Sequence, residues 1–220
     1  MISIRDVTKA FGTTAVLRGI EGAVDDGDVV AIVGASGCGK STLLNIIAGL
    51  DRPDSGRVLL DGTDVGALDD DASTRLRRAH IGFIFQAFHV LPYLTVLQNV
   101  ALPLELLALE RSQREPRALQ WLERCGIAAL AQRYPRELSG GELQRIAIAR
   151  ALVHEPALVL ADEPTGNLDA ATAAQILALL RQQVHASGAS AILITHSLAA
   201  AHSADRIWRL QAGRLEPLAA

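Results

Sequence analysis

The sequence predicts an α/β fold in one domain spanning 1–220: a core with a mostly parallel sheet (1–86 and 156–220), an N-terminal antiparallel β layer, and an α-helical subdomain inserted at 87–155. Three observations predict it. Short runs at 29–33, 81–85, 157–161 and 190–195 are apolar almost throughout, as strands covered on both faces must be. From Ala87 to about Glu155 apolar residues recur at spacings of three and four, the period of helices. A glycine-rich stretch, Gly34 to Thr42, stands between a buried-strand run and a helical run.

Taken in order, residues 2–7 read as a short edge strand and Lys9-Ala10-Phe11-Gly12 as a turn carrying an aromatic. Residues 16–24 are a second strand, and Asp25-Asp26-Gly27-Asp28 turns the chain into the strand 29–33. The helix behind the glycine stretch runs to Leu50, where Asp51-Arg52-Pro53-Asp54-Ser55-Gly56 is strong turn chemistry. A strand at 57–60, a short helix at 72–79 carrying Arg75, Arg77 and Arg78, and the buried strand 81–85 follow. The inserted segment holds helices at 95–109, 114–125 and 141–153. The chain closes with a strand at 157–161, a long helix at 170–186, the strand 190–195 and a terminal strand at 206–210.

Half of the 220 residues are hydrophobic but only 4% are aromatic, so the core is built mainly from Ala, Val, Ile and Leu. The net charge of −3 provides no basic footprint, and no nucleic-acid partner is expected. Cys38 and Cys125 make no metal or disulfide pattern and suit a reducing cytoplasm. The N-terminal residues lack the apolar centre of a signal peptide, and no run approaches the ~18 apolar residues of a membrane span. The expectation is a soluble chain able to dock on a membrane protein.

Gly34-Ala35-Ser36-Gly37-Cys38-Gly39-Lys40-Ser41-Thr42 fits G-x-x-x-x-G-K-[ST] at every fixed position. Its glycines let the backbone curl so that successive N–H groups face phosphate oxygens, and the helix starting near Lys40 adds its positive end. Lys40 supplies a cation for the β and γ phosphates and the Ser41 hydroxyl a ligand for Mg²⁺. The core is therefore expected to be that of a P-loop NTPase. Cys38 occupies a variable position, either as a small residue that fits or as a thiol whose oxidation blocks ATP.

Two more stretches carry chemistry. Asp162 ends a buried strand, where an acid holds Mg²⁺ directly or through water, and Glu163 beside it is the candidate to polarise an attacking water. Leu138-Ser139-Gly140-Gly141-Glu142 precedes a helix; read alone it is a helix start capped by Ser139. It is also a second phosphate-facing surface, and one nucleotide has no need of both within one chain.

Leu138-Ser139-Gly140-Gly141-Glu142, lying between the phosphate loop and Asp162-Glu163, resembles the signature motif of the ATP-binding cassette (ABC) ATPases, and the resemblance covers nearly all of the chain. It implies ATP and Mg²⁺ as cofactors. It implies that Phe11, where most members have tyrosine, stacks on adenine, with Val16 in the same nucleotide-binding set. It makes Gln86 the lid glutamine that reaches Mg²⁺ and water, Gly166-Asn167-Leu168-Asp169 a loop crossing a dimer interface, and His196 a contact to the γ-phosphate. Glu163, His196, Gln86 and Lys40 are thus the expected catalytic set, and Ser41, Gln86 and Asp162 the metal set. The partner is a second copy of the chain, whose Ser139, Gly140, Gly141 and Glu142 close over the nucleotide on the loop 34–42. Glu142 departs from the glutamine common in the family and places a charge near the other copy's nucleotide.

Four of the eight aromatics fall within 83–93. Phe83 and Phe85 share a strand face and are expected in the core. Phe88, His89, Leu91 and Tyr93 either pack inside the helical segment or mark a docking surface, which in the family receives a short helix of an integral-membrane permease. The passages 81–86, 97–104 and 161–169 resemble the lipoprotein-release and macrolide-efflux branch. That branch implies a chain peripheral on the cytoplasmic face of the bacterial cell membrane, energising export or lipoprotein release through a separate permease. A mechanical or regulatory ATPase acting on a permease-like partner shares every motif. A soluble DNA-repair or translation ATPase fits less well, because those resemble tandem cassettes or cassettes split by long coiled coils.

Overall fold

The computed structural model describes residues 1–218. In chain order its elements are β1 (Ile2–Phe11), β2 (Thr14–Val24), β3 (Val29–Val33), α1 (Lys40–Ile47), β4 (Ser55–Leu60), β5 (Thr63–Asp64), α2 (Asp70–His80), β6 (Ile81–Phe85), α3 (Val96–Leu106), α4 (Arg111–Arg124), α5 (Gly140–Leu152), β7 (Leu158–Asp162), α6 (Ala170–Ser187), β8 (Ser190–Thr195), α7 (Leu198–Ala201), β9 (Arg206–Gln211) and β10 (Arg214–Leu218). They form two sheets: an antiparallel one in the order β2-β1-β4-β5 and a six-stranded one in the order β10-β9-β3-β8-β7-β6. Every pairing in the larger sheet is parallel except β10 with β9.

The period of two along the central strands builds a core on each face of that sheet. Val29, Ala31 and Val33 of β3, with Val159 and Ala161 of β7 and Ala191 and Leu193 of β8, join the cluster shared with α3, α4, α5 and α6. Val30, Ile32, Leu158, Leu160, Ile192 and Ile194 face the other way, onto α1 and the antiparallel sheet. Residues 34–42 therefore emerge at the carboxyl end of a strand clamped on both faces.

Three expectations need correction. Phe11 is not in a turn: β1 runs through it, paired Phe11↔Thr14 with β2, and the bend falls at Gly12, whose φ is +60°. Phe83 and Phe85 are half-buried rather than core, because β6 is an edge strand; their rings stack with centroids 5.7 Å apart on an open face. β9 is not terminal: Ala212 and Gly213 take left-handed φ of 50° and 77° and reverse the chain into β10. The short strand β5 and the single-turn helix α7 were not expected either, and the other differences lie at element ends, as at α3, which Thr95 and Gln98 start with a reciprocal capping box.

Candidate nucleotide site

The loop between β3 and α1 is shaped by close approaches that only glycine permits. A Cβ on Gly39, whose φ is +105°, would lie 2.6 Å from Val16 Cγ1. One on Gly34 would lie 2.6 Å from the Leu210 carbonyl oxygen and 2.7 Å from Cys38 Sγ. Cys38 thus packs under the loop against the core beneath α1, as a small filling residue. Lys40 is 7% exposed, and its ammonium donates to the carbonyls of Gly34 and Ala35, both at 2.9 Å.

The pairing of β3 with β8 and of β8 with β7 brings the end of β7 beside this loop. Ser41 Oγ donates to Asp162 Oδ2 at 3.4 Å. Burial pushes the Asp162 carboxyl up, the Ser41 hydrogen bond opposes it, Glu163 adds to the rise and Lys40 works against it. The structure therefore brings Ser41, Lys40 and Asp162 together. Phe11, Val16, Ser36, Gly37, Gly39, Thr42, Gln86 and Glu163 line the same cleft, of about 570 Å³. Phe11 stands at its rim, 54% exposed, with the Lys9 ammonium 5.4 Å from its ring centroid.

Gln86 lines the cleft but is not held at Ser41 or Asp162. Its Nε2 donates to Asn167 Oδ1 at 3.1 Å, and Asn167 Nδ2 donates to the Gln86 carbonyl at 3.0 Å. Gly166 permits the approach, since a Cβ there would lie 2.7 Å from Gln86 Nε2. Glu163 takes a left-handed φ of 49°, its N–H donates to the Ile194 carbonyl at 2.9 Å, and its carboxylate meets His196 Nδ1 in a short hydrogen bond. His196 lies outside the cleft, in a neighbouring depression with Gly34, Ala35 and Cys38. Phe85, Ala87 and His89 also line the cleft and were not singled out as nucleotide-site residues; nothing in their residue types marks them for it.

Ser139 caps α5. Its Oγ accepts from the Glu142 N–H at 3.4 Å, while Glu142 Oε2 accepts from the Ser139 N–H at 2.8 Å and from its hydroxyl at 2.7 Å. Those two bonds, the hydroxyl's first, hold the Glu142 carboxyl below its ordinary range. Gly140 and Gly141 pack against Leu168 and Thr172, where a Cβ on each would fall at 3.1 and 2.9 Å. None of Ser139, Gly140, Gly141 and Glu142 lines the cleft that holds Lys40.

The model of the family described as "ABC transporter" matches residues 17–166. The chain belongs to that family. The cassette is 46% identical over 220 residues to the lipoprotein-releasing system ATP-binding protein LolD of Cereibacter sphaeroides, covering 98% of both chains. It is 42% identical over 219 residues to the macrolide export ATP-binding/permease protein MacB of Shigella flexneri, covering 98% of the cassette and 34% of that longer protein. Among solved structures, the dimeric bacterial ABC transporter cassette MJ0796 superposes with a TM-score of 0.87 at 40% identity, each chain covered in full. A second structure of MJ0796, dimeric in a post-hydrolysis state bound to ADP and Pi, superposes at 0.86. The cassette is an ATP-binding subunit and an ATPase of the ABC type.

Proposed function

We propose that the cassette works as a two-fold, head-to-tail dimer with two ATP molecules between the chains, driving a separate membrane permease that exports or releases lipid-linked cargo. The observation that carries the dimer is the separation just described: the loop around Lys40 and the surface of Ser139, Gly140 and Gly141 are two phosphate-facing elements that one chain keeps apart. A two-fold operation makes the two composite sites equivalent. Support for the cargo class comes from the likeness to LolD, and for a permease partner from MacB, whose name joins ATP binding and permease in one chain.

The residues present fit ATP with Mg²⁺. Among the described residues Lys40 is a cation satisfied only by loop carbonyls, ready to transfer to phosphate, and Gly34 and Gly39 keep the cradle clear of side chains. Ser41 and Asp162 would hold Mg²⁺, joined by Gln86 once it leaves Asn167; the ion neutralises phosphate charge there. Phe11 and Val16 would flank the base. Glu163 orients the attacking water, with His196 holding its carboxylate in place.

The cassette acts from the cytoplasmic face of the bacterial cell membrane; no helix among the described residues is long and apolar enough to cross it. Two surfaces serve the permease. One is the segment 88–93, where Leu91 is 42% and Tyr93 91% exposed while Phe88 and Val90 are half-buried. The other is an apolar groove of about 550 Å³ bordered by Leu50, Phe83, Leu102 and Leu106, which suits a short apolar helix of the permease.

The shared site is tested by mixing chains. Lys40→Ala and Ser139→Arg each abolish ATPase activity alone. A mixed dimer regains one intact site, and recovery of no activity in any mixture refutes the arrangement. In parallel, Glu163→Gln accumulates as an ATP-dependent dimer, whereas hydrolysis at the wild-type rate would remove Glu163 from its role.

A further inference from the structure

Arg150, on the last turn of α5, is half-buried, and no carboxylate among the described residues pairs with it. Its guanidinium is committed to two consecutive carbonyls: Nη1 donates to His89 at 2.6 Å and Nη2 to Phe88 at 2.9 Å. Both acceptors are non-glycine residues in the left-handed region, with φ of 61° at Phe88 and 49° at His89. Such a conformation costs on the order of 1 kcal/mol or more per residue and persists only where surroundings over-determine it. The fork of Arg150 supplies that determination, since its planar donors match two neighbouring oxygens at once.

The position of the fork is itself fixed. Gly82 of β6 lies so close to α5 that a Cβ there would fall 2.1 Å from the Ala151 carbonyl oxygen, so the helix sits on the strand backbone one residue from Arg150. On the other side, Phe88 follows Gln86 by two residues, and its N–H donates to the Phe85 carbonyl at 3.2 Å, closing a turn around Gln86. The His89 ring packs against Phe85 at a tilt of 36°, their centroids 4.6 Å apart, and both line the nucleotide cleft. Arg150 and Phe85 also border the apolar groove.

We propose that Arg150 is the positioning residue for Gln86: by gripping the carbonyls of Phe88 and His89 it sets where the Gln86 side chain enters the nucleotide cleft. Arg150 does not itself line the cleft; it reaches it through the backbone of His89, which does. This rests on the role of Gln86 in the proposed function.

The test is a double-mutant cycle on steady-state ATP hydrolysis by the purified full-length cassette. Arg150→Lys keeps the charge and loses the fork. It lowers kcat about tenfold, the scale of a small misplacement at a reacting centre. KM for ATP stays within about twofold, because the loop 34–42 is untouched. In a Gln86→Ala background the same change alters kcat by less than about twofold, as coupled residues are non-additive. Arg150→Gln, which buries no charge, repeats the cycle should the lysine variant fold poorly. A wild-type kcat for both Arg150 variants, a rise in KM equal to the fall in kcat, or losses that multiply in the Gln86→Ala background overturn the proposal. If Gln86→Ala alone keeps the wild-type kcat, the role of Gln86 fails and the inference falls with it. If Gln86→Ala is slow and the losses multiply, only the inference fails.

Discussion

Replacing Glu142 with glutamine separates two jobs that its carboxylate performs in the structure. It closes the start of α5 by accepting from the Ser139 N–H, and it also takes the Ser139 hydroxyl proton at 2.7 Å. In the proposed dimer that hydroxyl is needed by the other copy's phosphate, so the two acceptors compete for it. A hydrogen bond to a charged acceptor nets about 1.5–3 kcal/mol against about 0.5–1.5 for a neutral one, so a glutamine releases Ser139 at a cost about 1 kcal/mol lower. The dimer has two such sites, and about 2 kcal/mol corresponds to a roughly 30-fold tighter ATP-dependent dimer. Glutamine still completes the capping box, but the loss of a negative charge at a helix N-terminus lowers stability by about 0.3–1 kcal/mol. Sedimentation of Glu163→Gln chains with and without Glu142→Gln, in ATP, reads the first effect; calorimetry reads the second. The Glu142 carboxyl is held below its unfolded value by Ser139. Its stability contribution is therefore full above the unfolded pKa and lost as pH falls through the folded one. The two proteins should thus converge in Tm in acid. An unchanged or weaker dimer with glutamine refutes the competition.

Asp205 accepts from the Val29 N–H at 2.9 Å and pairs with Arg181 and His185, tying α6 and the start of β9 to β3. Burial alone would raise its carboxyl, but those bonds together hold it below its ordinary range, so its contribution is present above the unfolded pKa and fades as pH falls through the folded one. Asp205→Ala should lower stability at pH 7 by about 1–3 kcal/mol, a Tm loss of several degrees that shrinks at acid pH; a pH-independent loss counts against the charge. Gly82→Ala forces α5 off β6 and should cost about 1–3 kcal/mol in a urea titration, with an unchanged midpoint showing that the contact yields freely.

The sheet and the phosphate loop were legible because their signals are local. Val29–Val33 is apolar at every position, and a loop that needs glycine at 34 and 39 announces itself in residue types. β10 was missed because Arg214–Leu218 holds an arginine, a glutamate and a proline and pairs with β9 alone, so no apolar run was needed. Phe83 and Phe85 were misplaced for the opposite reason. Their strand looks fully covered, but only the sheet order shows it to be an edge. The pairing of Glu163 with His196 follows from β7 lying beside β8, which residue spacing does not reveal. The hold of Asn167 on Gln86 is likewise a tertiary fact, and it replaces the expected position beside Ser41.

The polar groups assigned to ATP share one property. Lys40 is held by the Gly34 and Ala35 carbonyls, Ser139 by Glu142, Gln86 by Asn167, and Glu163 by His196. Each is already satisfied within the chain, so nucleotide binding is an exchange of hydrogen bonds, and its net gain is the difference between two similar terms. No one of these exchanges drives closure by much. In the proposed dimer several occur together, and α5 connects two of them: Ser139 starts α5, Arg150 lies on its last turn, and Arg150 grips the turn that carries Gln86. In the proposed dimer, a shift of α5 that carries Ser139 and Glu142 toward the second chain's phosphate would therefore pull on the Phe88 and His89 carbonyls and work against the Gln86–Asn167 pair. The composite site of the proposed dimer would then engage its two halves together, so that dimer closure and readiness for hydrolysis coincide.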